Sequence, residues 1–361
     1  MDKEREQRKN TLDRIREHVR AYPKLEIEDI FKFIHQSACG CEHLVSDRNT
    51  AAERIAHEYS TVSAQKEPRI DALDGKYSRV HLSCLNDGLS AQTLAGLFCL
   101  SAKKENDAQK LIEQKLISVR ELIADGTIKV DAELFEKKAL EWRAAGYPAV
   151  HHSNTFRSEY CPAYRVIANE YLPFLKLFSA IDRLIENGRV ILAVEGGSAS
   201  GKSTLADVFE KLYDCNVIHM DDFFLRPEQR SAQRYAEIGG NIDRERFLCE
   251  VIEPLKRGSP IKYRRFDCSE QRLGESIELT DKKLTVIEGV YSMHPAFDKY
   301  YDFAVFLDID ADHQKKRISK RNSPEFAKRF FDEWIPMENR YFAHCGIKEK
   351  SDIVITASDM D

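Results

Sequence analysis

Apolar positions in the first half of the 361-residue chain recur with helical spacing. Leu25, Ile27, Ile30, Phe31 and Ile34 fall on one face, as do Leu111, Ile112, Leu116, Val119, Leu122 and Ile123. A further helix is expected from about Glu133 to Ala145, stopped by Gly146. The stretch YLPFLKLFSAIDRLIENG puts Leu175, Phe178, Ile181, Leu184 and Ile185 on one face and stops at Asn187-Gly188. One short strand is expected here, around YSRVHLS.

After Gly188 the pattern changes. Short apolar runs appear at RVILAVE, CNVIHM, KLTVIEG, DFAVFLDID and DIVIT, with helical segments between them. Runs of this length alternating with helices predict βαβ units around a mostly parallel sheet, buried on both faces. The expected organisation is a mainly helical domain over 1–185, followed by an α/β domain over 186–361 with a five-stranded sheet flanked by helices.

Composition narrows the function classes. The formal charge is −5, which argues against a nucleic-acid partner. No run approaches the roughly 18 apolar residues of a membrane span. The charged start, MDKEREQRKNTLDRIREHVR, lacks the apolar core of a signal peptide. A cytoplasmic protein is expected, with no membrane partner. Nine scattered cysteines suggest reduced thiols rather than a disulfide framework. Homo-oligomer formation is left open.

The segment GGSASGKST comprises Gly196, Gly197, Ser198, Ala199, Ser200, Gly201, Lys202, Ser203 and Thr204. It follows a strand pattern and opens a helical one, the context a Walker A phosphate loop requires. Glycines let the backbone curl so that N–H groups point inward, and the helix N-terminus adds its partial positive charge. Lys202 brings a cation to the β- and γ-phosphates, and the Ser203 hydroxyl suits Mg²⁺. ATP is therefore the expected nucleotide. No Asn-Lys-x-Asp segment is present to read guanine.

A kinase also needs a base and charge-neutralising groups near the γ-phosphate. The run CNVIHMDDFFL ends a strand at Asp221-Asp222, where open α/β sheets bind ligands. Asp221 is the candidate base; coordination of Mg²⁺ or water is the alternative. Glu288 ends another strand and suits a metal-bound water, or simply caps the strand. In HQKKRISKRNSPEFAKRF, Arg317 and Arg321 are four apart on a helix, and Arg329 follows. They suit a lid that neutralises charge during transfer, although such runs also form solvated basic faces.

Taken together, GGSASGKST, MDDFF, VIEGVY and RISKRN resemble the uridine kinase and phosphoribulokinase branch of P-loop kinases, over roughly residues 188–356. The resemblance implies that Asp221 is the catalytic base, that Glu288 assists Mg²⁺, and that the arginine run starts a lid. The acceptor segments depart from the family. GGNIDRERF supplies Asn241 and Asp243 but lacks the family's proline. In YRRFDCSEQRLGE, alignment on Arg272 puts Glu270 where the family has histidine, and Tyr263 lies two residues out of register. Asp267 and Arg272 remain polar candidates near the acceptor. The expected activity is transfer of the ATP γ-phosphoryl group to a hydroxyl of a small molecule, with a nucleoside such as uridine, or a related sugar alcohol, leading. Two alternatives stay open: a kinase of a non-nucleoside metabolite such as pantothenate or glycerate, and a nucleotide-controlled binding protein without kinase activity.

The first 185 residues carry no comparable motif. His35, Cys39, Cys41 and His43 lie close together, but their spacing is not that of a standard zinc site. AVHHSNTFRSEYCPAYR is expected to be a loop, dense in His151, His152, Arg157, Tyr160 and Tyr164, and offers a binding surface or a structured connection.

Overall fold

The structure is a computed structural model that describes residues 2–41, 47–61, 69–103 and 106–356, with side chains from residue 8 onward. It divides into two compact units, Met1–Ser179 and Ala180–Asp361. Among the described residues, no helix is long and apolar enough to cross a membrane. All nine cysteines are free thiols.

In the first unit, helices span Asp2–Ala21, Ile27–Cys39, Arg48–Thr61, Ala91–Ser101, Ala108–Ala124 and Ala132–Ala144. The helix Ile27–Cys39 starts with a capping box, in which the Glu26 and Asp29 side chains each meet the other residue's backbone. The apolar faces read from the sequence are the buried ones. Ile30 and Ile34 on one helix and Leu116, Val119 and Leu122 on another are at most 3% exposed.

The single strand expected at YSRVHLS has two partners. Strands β1 (Ile70–Ala72), β2 (Tyr77–His81) and β3 (Tyr164–Ala168) form an antiparallel sheet in that order. β3 lies far along the chain from β2, so no local pattern announces the pair. The expected loop at 149–165 is partly helical. Asn154–Tyr160 form a helix capped by Ser153, whose hydroxyl oxygen accepts from the Phe156 N–H.

The second unit is built on five parallel strands: β4 (Val190–Gly196), β5 (Cys215–His219), β8 (Leu284–Glu288), β9 (Phe303–Asp308) and β10 (Ile353–Thr356). Their spatial order is β10-β9-β4-β8-β5. β4 is the middle strand and is buried along almost its whole length. That burial is why RVILAVE reads as a continuous apolar run rather than an alternating one. The chain leaves β4 toward β5 on one side and later returns across β4 to β9 on the other. A crevice therefore opens beyond the carboxyl ends of these strands.

Between β5 and β8 the chain makes an antiparallel hairpin, β6 (Ile261–Asp267) and β7 (Arg272–Leu279), which the sequence pattern did not suggest. Ile261, Tyr263 and Phe266 on β6 are buried and anchor it, while β7 has no fully buried residue.

Candidate active site

Strand β4 delivers its last residue, Gly196, into the phosphate loop, and the helix Lys202–Leu212 leaves it. Glycine is required at Gly196. Its φ is +140°, and a Cβ there would lie 2.4 Å from the Leu307 carbonyl oxygen. Gly201, at φ +106°, precedes the helix, whose first N–H groups have no intrahelical partner. Lys202 is 8% exposed and its Nζ donates to the Gly197 carbonyl at 2.9 Å. Ser200 Oγ is buried and has no hydrogen-bond partner among the described residues. Thr204 lies on the first turn of that helix.

Strand register assembles the acidic side. His219 and Glu288 are the last residues of β5 and β8 and face each other in the parallel pair. His219 Nδ1 lies 2.6 Å from Glu288 Oε1, and Ser203 Oγ donates to the same oxygen at 3.0 Å. The Glu288 hydrogen bond raises the His219 pKa, burial opposing it. Ser203 and Glu288 thus come together as expected, whereas His219 was missed. Nothing local marks it, because its partner is set by strand pairing.

Asp221 follows directly in a short 3₁₀ turn, Met220–Phe223. The residue is exposed, yet protein packed around its carboxyl group desolvates it. That confinement, then the neighbouring Glu288 charge, raises its pKa; Lys202 and His219 pull the other way. Asp222 points elsewhere. Its Oδ2 accepts from Tyr263 Oη at 3.2 Å and lies 3.3 Å from Arg265 Nε, which ties the turn to β6.

The acceptor-side candidates are engaged internally. Tyr263 is 2% exposed, and its hydroxyl is the one on Asp222. Asp243 is equally buried, caps the short helix Arg244–Phe247 through the Arg246 N–H, and accepts from Gln229 Nε2 at 2.9 Å. Asn241 is the exception: its backbone carbonyl accepts from the Leu225 N–H, but its buried side-chain Oδ1 has no hydrogen-bond partner among the described residues. Asp267 closes its own turn, accepting from Ser269 and Glu270. Arg272 is exposed beside Glu270. Arg246, missed in the sequence, joins these segments. It donates to the Asp222 and Arg264 carbonyls and stacks 4.2 Å from the Phe223 ring centroid.

The stretch expected to form a lid falls in the helices Ala311–Arg321 and Pro324–Arg329, and the helix Ile335–Cys345 follows it. Arg317 Nη1 reaches the loop, donating to the Ala199 carbonyl at 3.3 Å. Arg321 lies 6.0 Å over Phe330, and Arg329 lies 5.0 Å over Trp334 and near Glu333. Two other residues grip the loop. Gln314 Nε2 donates to the Ser198 carbonyl at 2.9 Å, and the Glu338 carboxylate accepts from the Ser198 N–H and hydroxyl.

Glu195, immediately before the loop, is fully buried. It accepts from the N–H groups of Gly196, Tyr291 and Met293 and from the hydroxyls of Ser292 and Tyr341. One carboxylate thereby links the loop to the segment after β8 and to the helix Ile335–Cys345. Burial raises its pKa to about 7, against the pull of the Met293 N–H, Lys202 and Tyr341.

In the first unit, His35 and Cys41 are buried, and burial pushes the Cys41 thiol up to about 12, away from the thiolate a metal needs. Among the described residues, no three His, Cys, Asp or Glu side chains form a metal-holding group, and His43 lies outside those residues.

Residues 191–323 match the sequence model of the Phosphoribulokinase / Uridine kinase family. The uridine kinase of Shewanella piezotolerans is 31% identical over 137 residues, covering 34% of this chain and 64% of its own length. Uridine kinase-like protein 4 of Arabidopsis thaliana is 25% identical over 189 residues, covering 46% and 40%. The chain thus spans less than two thirds of either relative. A solved structure of a possible uridine kinase from Bacillus stearothermophilus aligns with TM-score 0.38 and 22% identity, covering 50% of this chain and 99% of that one. The matched stretch holds the loop, Asp221, Glu288 and the start of the arginine-rich helix, and over it the chain is similar to the phosphoribulokinase and uridine kinase family of P-loop kinases.

Proposed function

We propose that the second unit transfers the γ-phosphoryl group of ATP to a hydroxyl of a small molecule, a nucleoside being the leading acceptor. One observation carries the reading. Asp221 is exposed and close enough to the phosphate loop to feel the Lys202 charge, with a pKa raised toward the range in which a carboxylate serves as a base. In the proposed step it takes the acceptor's hydroxyl proton. The acceptor oxygen bonds to the γ-phosphorus as the bond to the β–γ bridging oxygen breaks, and ADP leaves.

The other residues position the reactants. Loop N–H groups and Lys202 hold the phosphates, and Arg317 adds positive charge beside the loop. A hydroxyl and a carboxylate sharing one contact, Ser203 and Glu288, suit a hard cation. These two residues would hold Mg²⁺, which when bound neutralises phosphate charge. His219 orients Glu288 from the next strand.

A non-nucleoside acceptor is the second reading. Tyr263 and Asp243, the polar groups that a nucleoside would meet by family resemblance, are buried and already hydrogen-bonded. The test is ATP consumption with Mg²⁺ against a panel of nucleosides, sugars, glycerate and pantothenate, with product mass recorded. Gain of one phosphoryl group on a nucleoside is the expected result. A gain on another alcohol selects the second reading. ATP binding with no acceptor stimulation across the panel would overturn both.

A further inference from the structure

The first unit holds a cavity of ≈290 Å³, near the lower end of small-molecule sites. Phe98 and Tyr164 form an aromatic wall. Lys32, Arg54 and Arg165 line it with positive charge, and among the described residues no carboxylate lines it. Asp29 is engaged elsewhere, accepting from His152 Nδ1 at 2.8 Å and from the Ser153 hydroxyl at 2.6 Å, whereas Glu58 pairs with the lining Arg165 at 2.8 Å, which leaves Lys32 and Arg54 as the lining cations without an ion pair among the described residues. Lys32 Nζ donates to the Val150 carbonyl.

Behind this wall lies Arg79, which is fully buried. Its Nε donates to Gln36 Oε1 at 2.8 Å, and its guanidinium stacks 4.8 Å from the Tyr164 ring centroid. Among the described residues its two terminal nitrogens have no hydrogen-bond partner. A buried guanidinium with unpaired N–H groups is costly and calls for compensating charge. Gln36 and Tyr164 both line the cavity, so the Arg79 charge stands directly behind its surface. The effect reaches Lys32, whose pKa falls to about 8 through burial and then through the Arg79 and Arg157 charges.

We infer that this cavity binds a small organic anion, a carboxylate or phosphate monoester on an apolar body, held by Lys32 and Arg54, beside the Glu58-paired Arg165, and backed by Arg79. An anion there would satisfy the converging cations, and the aromatic wall would cover its apolar part. The inference is independent of the kinase reading, since none of these residues belongs to the phosphate-loop unit.

The test is calorimetric titration of the full chain with phenyl phosphate, with benzoate and with neutral benzyl alcohol. Each is repeated on Arg54→Gln, Lys32→Gln and Lys202→Ala. Arg54 is exposed, so its variant is expected to fold, as circular dichroism would verify. Expected is saturable one-site binding of at least one anion, weakened about tenfold by either Arg54→Gln or Lys32→Gln and kept in Lys202→Ala. Whichever of phenyl phosphate and benzoate binds more tightly identifies the head group. The inference is overturned if neither anion binds at millimolar concentration, or if benzyl alcohol binds equally well. Binding lost in Lys202→Ala but kept in Arg54→Gln would also overturn it, placing the anion in the phosphate loop.

Discussion

Replacing Glu195 by glutamine tests whether the carboxylate under the phosphate loop titrates in the physiological range. Burial raises its pKa from 4.5 to about 7. A carboxyl group whose pKa is raised by folding favours the folded state when protonated. Its contribution is complete below the unfolded value and is lost as pH rises through the folded one. The whole shift corresponds to about 3 kcal/mol, of which about 2.5 kcal/mol is lost between pH 5 and 8.

Glutamine has the same shape but cannot ionise. It also lacks one acceptor oxygen, so at least one donor among Met293, Tyr291 and Gly196 loses its partner, a pH-independent cost of about 1–3 kcal/mol. The offset between wild type and Glu195→Gln is thus less informative than its pH dependence. Relative to wild type, the variant should gain about 2.5 kcal/mol from pH 5 to pH 8. The chain has two tryptophans, so urea unfolding of the second unit can be followed by Trp334 with Trp142→Phe in both proteins. A difference that stays flat within about 0.5 kcal/mol across that range would refute the reasoning. It would mean that five donors hold the carboxylate ionised throughout, despite its burial.

Asp221→Asn should lower turnover by about 10²–10⁴-fold while leaving ATP affinity within a few-fold, measured by steady-state kinetics and nucleotide titration; full turnover would remove Asp221 as the base. Gly196→Ala should destabilise the protein by at least about 2 kcal/mol, since φ +140° and the nearby Leu307 carbonyl both oppose a Cβ; an unchanged urea midpoint would contradict that. The His219 ring should titrate above its usual value by NMR, and its midpoint should fall in Glu288→Gln, because the Glu288 hydrogen bond is the main cause of the rise. Being raised, this group's stabilisation is present below the unfolded value and is lost as pH rises through the folded one, the loss disappearing in Glu288→Gln.

Much of the second unit was legible in the amino-acid sequence. Five apolar runs became five parallel strands, because strands buried on both faces carry no polar alternation to obscure them. GGSASGKST formed a loop between a strand and a helix, because its glycines and flanking patterns act locally. Glu288 was readable as a strand-end carboxylate for the same reason, whereas Asp221, read as ending its strand, lies two residues beyond β5 in a 3₁₀ turn. What the sequence could not express is contact between distant segments. His219 meets Glu288 only because β5 lies beside β8, and Glu338 meets Ser198 across 140 positions of chain. Tyr263 and Asp243 are polar residues suited to a ligand, and only tertiary packing turned them inward onto Asp222 and Gln229. The positive cavity of the first unit has the same origin, drawing Lys32, Arg54 and Arg165 from separate segments. Local composition determined which elements form and which chemistry they carry. Burial and strand order, which depend on the whole chain, decided which of those groups are partnered and which face a ligand.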